Sequence, residues 1–187
     1  MNRFVSTLLA AFLALLTGCG SQPATTASAT NSAQAAKTNE TSETTYFLSH
    51  AQENLPRIKL FVGAETMSAE VCSRVEQVAT GLMHRKGIGP EEGMLFVFAE
   101  PRERSFYMKN VDFDIAVAYI DADGVINEIV QLKARDEKGV PSKSENIQFV
   151  LETAPDYFSR HGFGPGTLIV SERGPMKEAL SRFAQVR

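Results

Sequence analysis

Apolar residues alternate with polar ones along much of the chain beyond residue 56, and this alternation predicts a sheet. Ile58, Leu60 and Val62 share one face of a strand predicted at 57–62. The same pattern, or a short apolar run, predicts further strands at 67–72, 94–98, 105–110, 115–120, 125–132, 147–152 and 167–170. The runs at 94–98 and 115–120 are almost wholly apolar, which indicates strands that are buried on both faces.

The strand predicted at 125–132 contains an irregularity in its alternation. Ile126 and Ile129 would lie on opposite faces of a regular strand. Either both faces of this strand are covered, or a bulge intervenes and returns the two side chains to one face.

A period near 3.6 residues predicts a helix from Ser73 to about Arg85. Val75, Val78 and Leu82 fall on one face of it. Ser73 and Glu76 have the spacing of a capping box, in which a hydroxyl and a carboxylate bind free amide groups at a helix start. Two further short helices are predicted at 155–160 and from residue 175 onward.

Strands outnumber helices in this pattern, and most connecting segments are short enough for antiparallel pairing. The polar segment 133–146 is predicted to be an exposed loop. We therefore expect an α+β domain, mostly antiparallel β, with two or three short helices. The sheet is expected to be curved and is either open or barrel-like.

The N-terminal region has the layout of a secretory signal. Arg3 precedes an apolar segment at 4–16, which is shorter than the ~20 residues that span a bilayer. The sequence Leu16-Thr17-Gly18-Cys19 resembles the processing box of a bacterial lipoprotein, which implies cleavage before Cys19 and lipidation of its thiol. Because Gly20 follows it, and not Asp, the resemblance favours the periplasmic face of the outer membrane.

These features divide the chain into three parts. Residues 1–18 are predicted to be a signal peptide, and 19–45 a lipidated cysteine followed by a disordered tether. The tether interpretation follows from its Ala, Thr, Ser, Asn and Gln content, which includes no large apolar residue from 20 to 45. Residues 46–187 are predicted to form a single globular domain.

Charge and cysteine content narrow the function further. The formal net charge is −3 and acidic and basic residues are interleaved, so nucleic-acid binding has little support. With Cys19 carrying lipid, Cys72 has no cysteine partner within the chain. We expect Cys72 to be a small buried apolar residue.

Three blocks of the sequence together resemble the bacterial and archaeal family called domain of unknown function 192. They are Gly81-Leu82-Met83-His84-Arg85, Gly93-Met94-Leu95-Phe96-Val97-Phe98 and Phe106-Tyr107-Met108-Lys109-Asn110. The similarity covers about 67–170 and includes Val150-Leu151-Glu152. It implies a compact, strand-rich domain, often secreted or tethered, with no established activity.

The chain departs from the family pattern at two places. Members usually have Trp where this chain has Tyr107, and Pro-Leu-Asp where it has Asp114-Ile115-Ala116. The acid has moved by two residues, which keeps it on the same face of a strand.

Arg85, Lys109 and Asn110 are the candidate ligand-binding residues. One hypothesis is a shallow cleft in which Arg85 and Lys109 hold an anionic group and Asn110 orients it. The alternative is structural: Arg85 pairs with Glu91 or Glu92, and Asn110 binds free backbone groups at a turn.

No metal or cofactor is predicted from the remaining polar and sulfur residues. The three histidines are scattered, and Asp121 and Asp123 with Gly124 indicate a turn. Met83, Met94 and Met108 could bind Cu(I), but we favour a core role for their thioethers.

The sequence thus favours a lipid-anchored envelope module that binds a small ligand or an envelope protein. The alternative is an envelope hydrolase that uses Lys109, Asn110 and a carboxylate such as Asp114 or Asp121. A hydrolase requires a concave site with a carboxylate close to Lys109, whereas a binding module needs only an apolar groove.

Overall fold

The computed structural model describes residues 46–183. The predicted signal peptide, Cys19 and the tether at 19–45 lie outside the described residues, and so do residues 184–187. Among the residues that are described, no helix is long and apolar enough to cross a bilayer.

The described chain contains ten strands, three short α-helices and one 3₁₀ turn. In chain order they are β1 (Arg57–Val62), β2 (Glu65–Cys72), α1 (Val75–Thr80), β3 (Glu92–Arg102), β4 (Ser105–Phe106), β5 (Ile115–Ile120), β6 (Ile126–Leu132), β7 (Val140–Pro141), β8 (Ile147–Thr153), α2 (Tyr157–Arg160), β9 (Ile169–Ser171), β10 (Gly174–Pro175), α3 (Met176–Leu180) and the 3₁₀ turn Ser181–Phe183.

Eight of the strands form one sheet in the order β10-β9-β1-β2-β3-β8-β5-β6. Every pairing in it is antiparallel except that of β2 with β3, which α1 connects in a β-α-β crossover. The predicted α+β class with a curved, mostly antiparallel sheet is confirmed. The sheet is not closed into a barrel. One isolated bridge pairs Val125, just before the end strand β6, with Leu168, just before β9.

Each face of the sheet is covered by its own apolar core. The first core includes Leu60, Phe149, Tyr157, Met176 and Leu180, so α2 and α3 cover this side. The second core holds the alternate side chains of the central strands, among them Met94, Phe96, Met108, Tyr119 and Val150. Strands β3 and β5 therefore have apolar residues at successive positions, as their unbroken apolar runs predicted, and β8 has them at 149–151.

A bulge resolves the irregular alternation in β6. The register changes between Tyr119, which pairs with Glu128, and Ile120, which pairs with Ile126. The extra residue, Asn127, returns Ile126 and Ile129 to the same side, where both pack in the first core.

Helix α1 is shorter than the sequence predicted. It ends at Thr80 and not near Arg85, because Gly81 takes φ +47° and ψ −131° and cannot continue a helix. Its start also differs. The side chain of Gln77, and not that of Glu76, accepts hydrogen bonds from the amides of Ser73 and Arg74, each at 3.1 Å.

Two other segments differ from the prediction. The strand expected at 105–110 is only two residues long, and the chain then turns so that the amide of Met108 donates to the carbonyl of Asp136 at 2.8 Å. The loop expected at 133–146 contains β7, which pairs with β4 in a separate two-stranded sheet.

Candidate functional site

A cavity of about 310 Å³ lies against the second core, between α1 with its following turn and the segment 103–111. Its apolar lining comes mainly from Val78, Leu82, Met83, Phe96, Phe98, Phe106 and Val111, and its ionisable side chains are Glu103, Arg104, Lys109 and Glu152. The volume is at the lower end of the range of natural ligand pockets. An apolar cavity with a few polar groups is the usual arrangement of a small-molecule site.

Glu152 is the most unusual residue of this cavity because of its place in the sheet. It belongs to β8, which lies between β3 and β5, and it pairs with Met94 on one side and Val117 on the other. Strand alternation puts Glu152 on the same face as Val150, which belongs to the second core. The fold thus places a carboxyl group inside an apolar layer.

The carboxyl group of Glu152 has little compensation from the protein. The residue is 5% exposed, and its Oε2 atom has no hydrogen-bond partner among residues 46–183. Burial raises the pKa of Glu152 from its ordinary value of 4.5 to about 8. At neutral pH the side chain is therefore mainly a neutral carboxylic acid.

Gly81 leaves space beside this acid. A Cβ atom at Gly81 would lie 3.4 Å from Cζ of Phe96 and 4.0 Å from Oε2 of Glu152. The carbonyl oxygen of Gly81 accepts a hydrogen bond from Nε2 of Gln52 at 2.8 Å. The same nitrogen donates to the carbonyl of Gln77 at 3.0 Å, so the Gln52 side chain fixes the end of α1.

Aromatic side chains form a rigid part of the lining. The rings of Phe96 and Phe106 meet edge to face with centroids 4.9 Å apart, and Phe106 meets Tyr119 at 6.2 Å. The Tyr119 hydroxyl donates to the carbonyl of Val140 at 2.5 Å, which anchors this cluster to β7. Such contacts keep the cavity preformed.

Two cations line the cavity, and they are held differently. The Arg104 guanidinium stacks on Phe98 at 3.7 Å from the ring centroid, and its Nη2 donates to the carbonyl of Glu100. Burial lowers the pKa of Arg104 to about 10. Lys109 places Nζ 4.9 Å from the ring centroid of Phe47 and makes no ion pair within the described part of the chain.

The structure divides the three sequence-predicted ligand residues between two cavities. Lys109 lines the cavity with Glu152, whereas Arg85 and Asn110 line a second, more polar cavity of about 670 Å³. His84, Lys86, Asp112, Arg135 and Glu137 complete the lining of that second cavity.

Arg85 is held by groups that the sequence did not indicate. Its Nη1 lies 2.6 Å from Oε2 of Glu70, and its Nη2 donates to the carbonyl of Gln52 at 2.8 Å. The alternative pairing with Glu91 or Glu92 is wrong, because those acids lie 2.9 Å from Arg160 and Arg57 respectively.

The turn that the structural alternative predicted at Asn110 is present, and the residue takes φ +55°. The group that accepts the amide of His84, at 2.8 Å, is the backbone carbonyl of Asn110 and not the side chain that this alternative invoked. His84 itself has φ +64°. This hydrogen bond joins the backbone of the turn after α1 to the backbone of the segment 103–111.

The carboxylates proposed for a hydrolase hold loops together. Asp114 accepts hydrogen bonds from Nζ of Lys133 at 2.8 Å and from the amide of Ala134 at 2.9 Å. The hydrogen bond from Lys133 is the main cause of the lowered pKa of Asp114. Asp121 accepts the amides of Asp123 and Val125 at its turn. The carboxylates that share a cavity with Lys109 are instead Glu103 and Glu152.

The sulfur residues pack in the core. Cys72 is fully buried, and burial together with the nearby charges of Glu152 and Glu70 raises the pKa of its thiol. Met83, Met94 and Met108 all belong to the second core, as their favoured interpretation predicted. Residues 46–183 contain no group of three or more His, Cys, Asp and Glu side chains placed to hold a metal ion.

Glu152 was missed as a site residue, although the sequence contains a signal for it. It directly follows Phe149-Val150-Leu151, where successive apolar residues indicate burial on both faces of the strand. A carboxylate at the end of such a run is either paired or unusually placed. Which of the two applies depends on side chains from β3, β5 and α1, and the pattern of β8 alone does not contain them.

Comparison with known proteins gives a family and a fold. A family model described as "Uncharacterized ACR", domain of unknown function 192, matches residues 58–171. No curated protein matches the sequence.

Two solved structures resemble the chain. One is of a protein from Sinorhizobium meliloti 1021 described as a "putative transcription regulator", with 25% identity, a TM-score of 0.61, and coverage of 65% of this chain and 98% of that one. The other is of a protein of unknown function from Novosphingobium aromaticivorans DSM 12444, with 25% identity, a TM-score of 0.59, and coverage of 64% and 89%.

Proposed function

The chain belongs to the family called domain of unknown function 192, which is described as uncharacterized, and we propose a function for it from the residues that line the Glu152 cavity. The protein is a lipid-anchored cell-envelope module that binds a small molecule between α1 and the segment 103–111. The ligand places an apolar part against Phe96, Phe98 and Met83.

One observation carries this proposal: the cavity contains a buried carboxyl oxygen, Oε2 of Glu152, without a hydrogen-bond partner in the described chain. Buried polar groups in native proteins are nearly always hydrogen-bonded, because an unpaired one costs about 1–3 kcal/mol. Such a cost is retained where a ligand supplies the missing partner.

Lys109 is the residue for an anionic part of the ligand. It lines the same cavity and its charge is not neutralised by an ion pair within residues 46–183. Arg85 and Asn110 line the neighbouring polar cavity, and their part in this proposal is to hold an anionic group there. Since Arg85 already pairs with Glu70, Lys109 is the stronger of the two cationic candidates.

Methionine methyl groups offer a direct test of binding. Met83 lines the cavity, whereas Met67 and Met176 belong to the first core on the opposite side of the sheet. Protein labelled with ¹³C at the methionine methyls is titrated with a small-probe set of toluene, benzamide, cyclohexanol and hexanoate. We expect at least one probe to shift the Met83 signal saturably while the Met67 and Met176 signals stay in place.

Two substitutions on α1 provide the control. Val78 lines the cavity, and Val75 on the same helix is 52% exposed and does not. Val78→Phe fills the cavity and should abolish the Met83 shift, whereas Val75→Phe should leave it unchanged. Absence of a Met83 shift with every probe, or equal shifts at Met83 and Met176, would contradict the proposal.

The membrane anchor in this proposal rests on Cys19 and its flanking sequence. Two acyl chains give stable attachment, whereas one gives only reversible binding. The parent protein should incorporate a fatty-acid probe and sediment with outer-membrane vesicles, and Cys19→Ser should do neither. A Cys19→Ser variant that stays with the membrane as the parent does would refute the lipid anchor and would leave the proposal of ligand binding unaffected.

A second candidate is a hydrolase of an envelope component, with Lys109 and Glu152 in place of the originally proposed Asp114 or Asp121. One observation favours it: a carboxylic acid with a pKa of about 8 is protonated at neutral pH and suited to donate a proton to a leaving group. Turnover of nitrophenyl esters or glycosides that disappears in Glu152→Gln would support this candidate. If both proteins hydrolyse these substrates no faster than buffer does, the hydrolase candidate is excluded and the binding function remains.

The description of the Sinorhizobium protein as a regulator of transcription concerns that protein. A formal net charge of −3 gives no electrostatic support for DNA binding by this chain.

A further inference from the structure

The chemistry of the cavity indicates which kind of ligand its acid selects. We propose that Glu152 binds as a neutral hydrogen-bond donor, so that the group entering beside it is an uncharged acceptor such as a carboxamide or ketone oxygen and not a cation. This inference rests on the proposed function, because it concerns the ligand of the same cavity.

The geometry supplies the first reason. Glu152 is on a central strand with no exposed edge, flanked by Met94 and Val117, and neither neighbour offers a polar side chain. Its Oε2 lies 4.0 Å from the position of a Cβ on Gly81, a residue that also lines the cavity. The acid therefore faces the cavity space and has no described protein group to which its proton could be donated.

The surrounding charges supply the second reason. The ionisable groups near Glu152 are Cys72 from β2 and Tyr119 from β5, which interact with its charge, and the charged groups that line the same cavity are Glu103, Arg104 and Lys109 from the segment beyond β3. Burial raises the pKa of Cys72 and of Tyr119, so both are neutral at physiological pH. The remaining three carry one negative and two positive charges. The wall is thus cationic overall, and it repels a cationic ligand.

The aromatic faces supply the third reason. Cation recognition in proteins commonly uses open aromatic rings. Here the Arg104 guanidinium already covers the Phe98 ring, which belongs to the cavity lining. An incoming cation would find this face occupied by a positive charge of the protein itself. An uncharged acceptor meets no such competition.

A neutral donor makes binding depend on pH in a defined direction. The acid is protonated below a pKa of about 8, and above it the proton is lost and the carboxylate repels the lone pairs of an acceptor. Affinity for an uncharged acceptor should therefore fall as pH rises through this value. Affinity for a cation should rise over the same interval.

Acetophenone and benzamidinium form a matched pair of probes, because they have nearly the same shape and differ in charge and in the acceptor oxygen. The ketone also has no N–H group that could donate to a carboxylate. Toluene serves as the apolar reference. Dissociation constants are measured from the Met83 methyl shift at about pH 6 and about pH 9.5, on either side of the Glu152 pKa. At the lower pH we expect acetophenone to bind at least about tenfold more tightly than benzamidinium or toluene. At the higher pH the acetophenone affinity should drop by about tenfold or more.

Two variants separate hydrogen bonding from simple packing. Glu152→Gln keeps a neutral donor at every pH, so it should bind acetophenone about as tightly as the parent does at the lower pH and should lose the pH dependence. Glu152→Leu removes the donor, so acetophenone and toluene should bind equally. Unshifted Met67 and Met176 signals verify that both variants are folded.

The outcomes distinguish the neutral-donor inference from the proposed binding function on which it rests. Tighter binding of benzamidinium than of acetophenone, or loss of acetophenone binding in Glu152→Gln, would overturn the neutral-donor inference and leave ligand binding intact. Equal affinity of the parent for toluene and acetophenone would also overturn it. If none of the three probes moves the Met83 signal, the inference and the proposed binding function both fail.

Discussion

Nη1 of Arg85 lies 2.6 Å from Oε2 of Glu70, and this contact fastens the turn after α1 to strand β2. The two side chains are 20% and 11% exposed, so solvent screens the pair only in part. Arg85 also donates to the carbonyl of Gln52, a residue whose side chain fixes the end of α1. Arg85 thus supports the wall of the Glu152 cavity from the outside.

Arg85→Met should destabilise the fold by roughly 2 kcal/mol, because the largely buried Glu70 carboxylate loses its closest cation and keeps only the more exposed Arg57 guanidinium, at 3.3 Å. Combined with Glu70→Gln in a double-mutant cycle, it should give a coupling energy of about 1–3 kcal/mol in urea unfolding. The control is Arg135→Met. Its partner Asp112 lies at a similar distance, 2.8 Å, but both side chains of this pair are more than half exposed. This change should cost less than about 1 kcal/mol. An equal loss of stability in the two arginine variants would show that burial does not strengthen the contact between Arg85 and Glu70.

Glu152→Gln should change how stability depends on pH. The pKa of Glu152 is raised from 4.5 to about 8 on folding, so the folded protein binds the extra proton between these values. The stability that this group contributes is complete below pH 4.5 and is lost as pH rises through 8, by about 1.4 kcal/mol per pH unit. The variant lacks this titration.

The measurement is the free energy of unfolding of both proteins in urea at several pH values. Between about pH 5 and 7.5 the variant should gain roughly 3 kcal/mol relative to the parent. Parallel curves for the two proteins would mean that Glu152 ionises normally in the folded state. The comparison cancels the contributions of all other titrating groups.

Gly124→Ala should be far more costly than Gly162→Ala. Both glycines have positive φ, +85° and +70°, so each substitution carries a similar backbone strain of about 1–3 kcal/mol. A Cβ at Gly124 would also lie 2.5 Å from the carbonyl oxygen of Ile169, whereas a Cβ at Gly162 meets nothing within 4 Å. Thermal unfolding of the two variants measures the difference. An equal loss of thermal stability in the two variants would show that the contact between the β5–β6 turn and β9 adjusts to the added methyl group.

Cys72 should be unreactive toward a soluble disulfide reagent in the folded protein. The thiol is fully buried and its pKa is raised by burial and by Glu152 and Glu70, so little thiolate forms. In a Cys19→Ser background, modification should become complete only when denaturant is added. Rapid modification of the native protein would indicate that the second core opens to solvent near Cys72.

The strand pattern was predictable because burial on one or both faces leaves a period of two or an apolar run. β1, β5 and the central part of β3 match the predicted strands for this reason. The end of α1 was not predictable from periodicity. Apolar residues continue at helical spacing through Leu82, but the backbone of Gly81 leaves the helix to pass beside Phe96.

The candidate site was predicted only in part. Lys109 was singled out as a polar residue within an apolar block, and it does line the cavity. The place of Glu152 in the site was not predictable, because its environment is formed by β3, β5 and the turn after α1, which are distant from it in sequence. Partners such as Glu70 for Arg85 were missed for the same reason, since spacing along the chain does not identify cross-strand neighbours.

A carboxyl titration of Glu152 tests the central claim most directly. In protein carrying ¹³C at the glutamate carboxyls, Glu152→Gln assigns the signal by its disappearance. The signal should keep the chemical shift of a neutral acid through pH 6 and titrate with a midpoint near 8. A midpoint near the ordinary value of 4.5 would show that the cavity holds a charged carboxylate at neutral pH, and it would contradict both the unpartnered acid and the ligand class inferred from it.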